Sequence, residues 1–167
     1  MKYFNIKSMT PLKSSPRDAF VGFLGGVAAI YILLLLTKWS GNLFIMAPFG
    51  ASCVLAFGVW DSPLSQPRNI VGGHLISSFV GIFFHRFFGS SMLLTAIAVG
   101  IAISLMILSK TTHPPAGADP LVILLGSGTV GWSYLLTPVL AGALVIVIVG
   151  LVVNNLAKGR KYPKFWL

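Results

Sequence analysis

Four stretches of the chain are nearly unbroken runs of apolar residues, and each predicts a helix that crosses a bilayer. The first runs from about Arg17 to Thr37 and is followed by Lys38 and Trp39. Trp favours the membrane interface, because its ring is apolar while its N–H seeks water. The second runs from about Pro67 to Phe88, and Pro67 suits a helix start, where its missing N–H would be unpaired anyway. The third spans about Met92 to Ser109 and the fourth about Thr137 to Leu156. Each is near the ~20 residues that ~30 Å of hydrocarbon requires.

Two further apolar segments, residues 41 to 60 and 113 to 131, are interrupted near their starts by Pro and Gly. Their unbroken parts are about a dozen residues each, a length typical of re-entrant rather than spanning segments. They also match each other. Pro48-Phe49-Gly50-Ala51-Ser52 aligns with Pro115-Ala116-Gly117-Ala118-Asp119, and each is followed by a Gly (Gly58, Gly126) and then by a Pro that opens a long helix (Pro67, Pro138). The expected architecture is an all-α membrane protein of four transmembrane helices and two short broken, re-entrant segments. It carries a two-fold internal repeat over about residues 17–88 and 92–157. The alternative is six spans with inverted halves. Residues 1–16 form a polar lead, 17–157 a single transmembrane domain and 158–167 a basic tail. Small residues four apart (Gly22 and Gly26; Gly73, Ser77 and Gly81; Ala96, Gly100 and Ser104) suit close helix packing in lipid.

Composition agrees with lipid as the solvent: 56% of the residues are hydrophobic and 9% charged, against ~25% charged in soluble domains. The net charge of +9 invites a nucleic-acid reading, but the basic residues cluster at the two ends. Lys2, Lys7, Lys13 and Arg17 precede the first apolar run; Lys158, Arg160, Lys161 and Lys164 follow the last. That is the positive-inside pattern, so both termini are expected in the cytoplasm, with a multi-pass chain in the cytoplasmic (inner) membrane and no nucleic-acid partner. The first apolar run is too long for a signal-peptide core and lacks an A-x-A-like site, so it reads as a retained anchor. The single Cys53 allows neither an internal disulfide nor a Cys-based metal site. No hydrolase, kinase or nucleotide-binding signature is present, and no enzymatic role, cofactor or metal is expected.

Broken helices persist in hydrocarbon only where protein or a water-lined cavity shelters their polar backbone. Two such breaks in equivalent places point to a site between the halves, as in many transporters. Short helices starting at Pro48 and Pro115 would aim free N–H groups there, an arrangement that favours anions, and Gly50 and Gly117 would allow close approach of a ligand. Tight packing with nothing bound is the plainer reading. Asp119 is the clearest ionisable residue at membrane depth. It suits either a helix cap before Pro120 or a coupling role, with Arg68 as a possible partner. His113 starts the second break and suits an anion donor or proton relay, or an interfacial place beside Lys110. His74 shares a face with Ser77, Ser78, Gly81 and His85, either lining a polar path or bonding across helices. His85 and Arg86 are expected at the cytoplasmic end. The candidate substrate-binding set is therefore Pro48, Phe49, Gly50, Ala51, Ser52, Arg68, Asn69, His74, His113, Pro114, Pro115, Ala116, Gly117 and Asp119.

Several ordered strings resemble the HPP family of integral membrane proteins: T-H-P-P-A-G-A at Thr112–Ala118, P-F-G-A-S at Pro48–Ser52, S-P-L-S-Q-P-R-N at Ser62–Asn69 with G-G-H at Gly72–His74, and N-N-L at Asn154–Leu156. The resemblance runs from the first helix to Trp166 and implies a four-helix membrane protein. Plant plastid and cyanobacterial relatives are associated with nitrite transport. The combined expectation is a transporter or channel for a small inorganic anion, such as nitrite, working as a homo-oligomer. A non-transporting scaffold or assembly subunit is the rival.

Overall fold

The computed structural model describes residues 15–166; most of the polar lead, with Lys2, Lys7 and Lys13, and Leu167 lie outside the described residues. Those described are all helix and connection, with no strand among them. Helix α1 spans Pro16–Ser40, α2 Pro48–Cys53, α3 Pro67–Phe87, α4 Met92–Leu108, α5 Asp119–Leu125 and α6 Ala141–Leu156. A wide π-type turn, Val54–Gly58, extends α2; a 3-10 turn, Pro114–Ala118, precedes α5. Trp132–Leu140 leads into α6 and makes Trp132–Leu156 one continuous apolar stretch. That stretch, α1 and α3 are long and apolar enough to cross a membrane, while α4 has 17 residues.

Local chemistry sets the boundaries. Ser15 caps α1 by accepting the Asp18 amide at 3.0 Å, with Pro16 in the first turn. The helix ends at Gly41, whose φ of +70° is left-handed and whose N–H returns to the Thr37 carbonyl; a side chain there would be strained. Ser91 starts α4 by accepting from the Leu94 amide.

Contacts sort the loops between two ends of the bundle. At one end the described termini meet: Arg160 pairs with Asp18 at 2.7 Å, and Arg17 reaches the Lys158 carbonyl. The same end holds the exit of α2 and the start of α3. The Phe57 carbonyl accepts from Arg160 at 2.9 Å, and the Ser65 carbonyl accepts from the Tyr162 hydroxyl at 2.8 Å. Burial pushes the Tyr162 phenol pKa up, so the group stays a donor. The first broken segment began at the other end, where the Phe44 amide donates to Thr37 Oγ1 near the close of α1. The second broken segment runs the opposite way. It starts at the terminal end, where Arg68 donates to the Ser109 carbonyl (2.9 Å) and Asn69 to the Thr112 carbonyl (2.8 Å). It finishes with Leu124 packed on Val80 and Phe84, late in α3. Both broken segments thus run from one end of the bundle to the other instead of doubling back. His85 and Arg86, in the last turn of α3, lie at the end away from the described termini, opposite to expectation.

The broken segments seat on glycines of the opposite half of the chain. A Cβ on Gly142 of α6 would lie 2.1 Å from Phe49 Cε2, and one on Gly73 of α3 would lie 2.7 Å from His113 Cβ. Gly81 likewise admits Pro120 of α5. The stripe Gly73, Ser77, Gly81 is therefore a packing seam, as its spacing predicts. On α4 the expected stripe Ala96, Gly100, Ser104 is exposed, and the buried small residues are Ala98 and Ala102. The spacing was right and the face was not, since α4 is apolar all round and its pattern names no inward side.

Candidate functional site

At the centre of the bundle the two broken segments close on one side chain, His74 of α3. Its Nε2 lies 2.7 Å from Ser52 Oγ on α2, and its Nδ1 lies 2.8 Å from Asp119 Oδ2, the first residue of α5. Ser52 and Asp119 occupy matching places in the two P-x-G-A strings, so equivalent positions of the two segments hold the two nitrogens of one imidazole. Ser52 Oγ also lies 2.9 Å from His113 Nε2, and His113 Nδ1 donates to the Leu64 carbonyl at 2.8 Å. Ser78, one turn beyond His74, donates to Asp119 Oδ2 at 3.0 Å. The result is a continuous polar chain from Asp119 through His74, Ser52 and His113 to the Leu64 carbonyl. Its four side chains are fully buried.

Local sequence explains the placement. Pro48 starts α2 so that Ser52 falls one turn on, with its hydroxyl also 3.3 Å from the Pro48 carbonyl. Pro114 and Pro115 fold the 3-10 turn that sets His113 before it and Asp119 after it. Phe49 packs its edge on His74, with ring centroids 5.1 Å apart, and His113 approaches His74 at the same centroid distance. Ser77 donates to the Ala116 carbonyl at 2.6 Å and ties α3 to that turn. Asp119 Oδ1 is buried with no hydrogen-bond partner among the described residues, an unsatisfied acceptor in a low-dielectric setting.

Of the expected site residues, Ser52, His74, His113 and Asp119 form the chain, while Pro48, Phe49 and Ala116 support it. Pro48, Ala51, Pro114 and Pro115 line an apolar groove of about 630 Å³ between the broken segments. Gly50 faces Gly22 and Gly26 across a separate cleft, and Gly117 has open space where a Cβ would point. Arg68 and Asn69 stand apart, on the rim of a pocket of about 200 Å³ shared with Gln66, Lys110 and Trp166. Arg68 does not pair with Asp119; it is held by the Ser109 carbonyl. His113 is buried and away from the interface beside Lys110.

One expectation needs correction. The Phe49 and Gly50 amides donate to the Met46 and Ala47 carbonyls, and the Ala116 amide donates to the His113 carbonyl. These first-turn donors of the broken segments are used within the chain, and α2 and α5, of six and seven residues, are too short for a large dipole. The polar feature at the break is the side-chain network, not a ring of free amides. The Leu64 carbonyl was missed because backbone acceptors leave no trace in residue identity. Ser78 did leave one, four residues after His74 on the same face.

The order Asp119–His74–Ser52 is that of a hydrolytic triad. Here, however, Ser52 Oγ sits between two imidazoles and is fully buried. The arrangement is suited to holding and passing hydrogen rather than to presenting an oxygen nucleophile. No group of three or more His, Cys, Asp or Glu among the described residues is arranged to hold a metal ion.

The model of the HPP transmembrane region matches residues 11–163. The chain belongs to the HPP family. The signature that names HPP proteins is His113-Pro114-Pro115, which places the imidazole and builds the turn beneath it. A transmembrane protein of Dictyostelium discoideum is 35% identical to this HPP chain, over 94% of the chain and 54% of that protein. A second transmembrane protein of the same organism is 38% identical, over 73% of the chain and 45% of that protein. The chain thus spans about half the length of the curated HPP relatives it matches. No solved structure matches it.

Proposed function

We propose that the protein is a transporter or channel of the cytoplasmic membrane that moves a small inorganic anion such as nitrite. The observation that carries this reading is the buried chain Asp119–His74–Ser52–His113, which joins the two broken segments. Ionisable groups at membrane depth are costly and mark ion or proton pathways far more often than plain packing. The anion preference draws on the pocket of about 200 Å³ at the terminal end, where Arg68, Lys110 and Asn69 gather without an acid among its lining residues. That pocket includes Pro63, next in sequence to Leu64, whose carbonyl ends the polar chain.

In this reading the chain crosses the bilayer six times, its halves are inverted, and both termini lie in the cytoplasm. Homo-oligomeric assembly is part of the proposal. The exposed stripe Ala96, Gly100, Ser104 and the apolar groove between the broken segments are the surfaces that favour it. A non-transporting scaffold is favoured by one observation, the internally satisfied amides at Phe49, Gly50 and Ala116.

Uptake separates the two. Purified protein in liposomes should take up nitrite above the rate of empty vesicles, and Arg68→Ala should reduce the rate about 10-fold by removing a charge that concentrates anions at the mouth. Uptake equal to that of empty vesicles would support the scaffold. No catalytic role is part of the reading, so a fluorophosphonate serine probe should leave the protein unlabelled. Labelling that disappears in Ser52→Ala would move the assignment to an intramembrane hydrolase.

A further inference from the structure

The donors and acceptors of the buried chain can be assigned one by one. The Leu64 carbonyl only accepts, so His113 Nδ1 carries a hydrogen. With His113 neutral, its Nε2 is a lone pair, and the Ser52 hydroxyl donates to it across 2.9 Å in preference to the more distant Pro48 carbonyl at 3.3 Å. That uses the one hydrogen Ser52 has, so Ser52 Oγ accepts from His74 Nε2 at 2.7 Å, and that nitrogen carries a hydrogen too. A further hydrogen then lies between His74 Nδ1 and Asp119 Oδ2, 2.8 Å apart, on one atom or the other. The closed chain holds one more proton than two neutral imidazoles and an ionised carboxylate would. With that proton the cluster is neutral overall. Without it, a Ser52 lone pair faces an imidazole lone pair and a carboxylate charge is left uncompensated at full burial.

The chain also closes in reverse, with the positive charge one imidazole farther from Asp119. Ser52 then donates to His74 Nε2, His113 Nε2 donates to Ser52, and His113 carries both ring hydrogens. Switching between the two patterns needs two short transfers. The N–H bond of His74 Nε2 breaks as an O–H bond forms on Ser52, and the original Ser52 O–H bond breaks as an N–H bond forms on His113 Nε2. Electrons and atoms balance with no other reactant, and the net event moves one positive charge from His74 to His113.

We propose that this cluster is a proton relay, with Ser52 as its switch, and that the protein couples proton movement to its anion; the coupling rests on the transport reading above. The His113 end donates to the Leu64 carbonyl, next in sequence to Pro63 of the pocket that Arg68 and Lys110 line, so the relay runs toward the pocket assigned to the anion. The opposite end is Asp119 Oδ1, buried and without a hydrogen-bond partner among the described residues, the acceptor that the relay uses to take up its proton. Few other ionisable groups adjoin the chain. Cys53 on α2 is buried beside Ser52, the Tyr134 hydroxyl ahead of α6 is turned toward the Met46 sulfur at 4.0 Å, and Arg68 on α3 is occupied by Ser109. None hydrogen-bonds to the chain, and among the described residues Ser78 is the only further side chain that does.

The test uses liposomes holding the full chain and an internal pH dye, with nitrite uptake and lumen pH followed together at neutral to mildly alkaline pH. Wild type should acidify the lumen in step with nitrite. Ser52→Ala, which removes the switch but leaves the His74–Asp119 contact, should lower proton flux by about 100-fold, the scale of one lost proton-transfer group. Ser52→Thr, which keeps a hydroxyl, should restore it, and size-exclusion profiles check that both variants are folded. Nitrite uptake without a change in lumen pH overturns the relay and leaves transport standing, as does Ser52→Ala carrying protons at the wild-type rate. If nitrite does not enter at all, the transport reading falls, and proton flux under an imposed pH gradient with valinomycin decides the relay. Flux above empty vesicles that Ser52→Ala abolishes supports it; flux no greater than that of empty vesicles overturns it.

Discussion

His74→Phe should abolish uptake and destabilise the protein by about 3–5 kcal/mol, the range for removing one partner of a buried charged pair. Phenylalanine fills similar space, so packing against Phe49 is largely kept and the loss is polar. Asp119 Oδ2 would retain Ser78 alone, with Oδ1 still bare, and Ser52 would lose its 2.7 Å contact. A double-mutant cycle separates this from simple damage. Asp119→Leu added to His74→Phe removes the orphaned carboxylate, so the pair should be more stable than the sum of the singles, with a coupling of about 1–3 kcal/mol. Stability from unfolding titrations in mixed micelles should recover in the double variant while uptake does not. Strict additivity would mean that the 2.8 Å contact between the two residues contributes nothing.

Gly142→Ala should also be strongly harmful, for a steric reason. The new methyl would lie 2.1 Å from Phe49 Cε2 and 2.8 Å from the Phe44 carbonyl oxygen. The ring is fully buried, and the carbonyl is backbone, so neither moves cheaply. Overpacking of this kind costs about 1–3 kcal/mol, which exceeds the gain of up to about 1 kcal/mol from Ala over Gly in a helix. The displaced Phe49 is the ring that packs on His74, so uptake should fall together with the thermal midpoint. Gly50→Ala is the matched control. It changes the same residue type on the broken segment itself, where a Cβ meets nothing within 4 Å, and its midpoint should be unchanged or slightly raised.

Much of the fold was legible because lipid constrains sequence more tightly than water does. Helix α3 starts at Pro67 as expected, and α1 and α4 begin and end within three residues of the apolar runs that predicted them. The breaks fall where Pro48 and Pro114-Pro115 sit, and the aligned P-x-G-A strings placed Ser52 and Asp119 in register. What the length rule missed was reach. It counts ~1.5 Å per helical residue, but the first broken segment opens with irregular backbone at Gly41–Met46. Extended residues cover ~3.3 Å each, so a segment too short to cross as a helix gets from one end of the bundle to the other. The network itself was only half visible. His74, His113, Ser52 and Asp119 were each notable as polar residues in apolar surroundings, yet 22 to 61 residues separate the bonded pairs. Nothing local says which nitrogen meets which oxygen. The outward-facing stripe of α4 shows the complementary limit, since a helix apolar on every side carries no signal for its buried face.

The course of the two broken segments underlies the whole account: in the proposed topology both pass through the bilayer, in opposite directions, and bring Ser52 and Asp119 to one imidazole. Single-cysteine labelling with a membrane-impermeant maleimide, in sealed vesicles of known orientation and a Cys53→Ala background, tests it directly at Asp61→Cys and Ser90→Cys. Six crossings predict that position 61 reacts from the same side as Lys158→Cys in the tail and that position 90 reacts from the opposite side. Re-entrant segments with four crossings reverse both results, and that outcome would contradict the account.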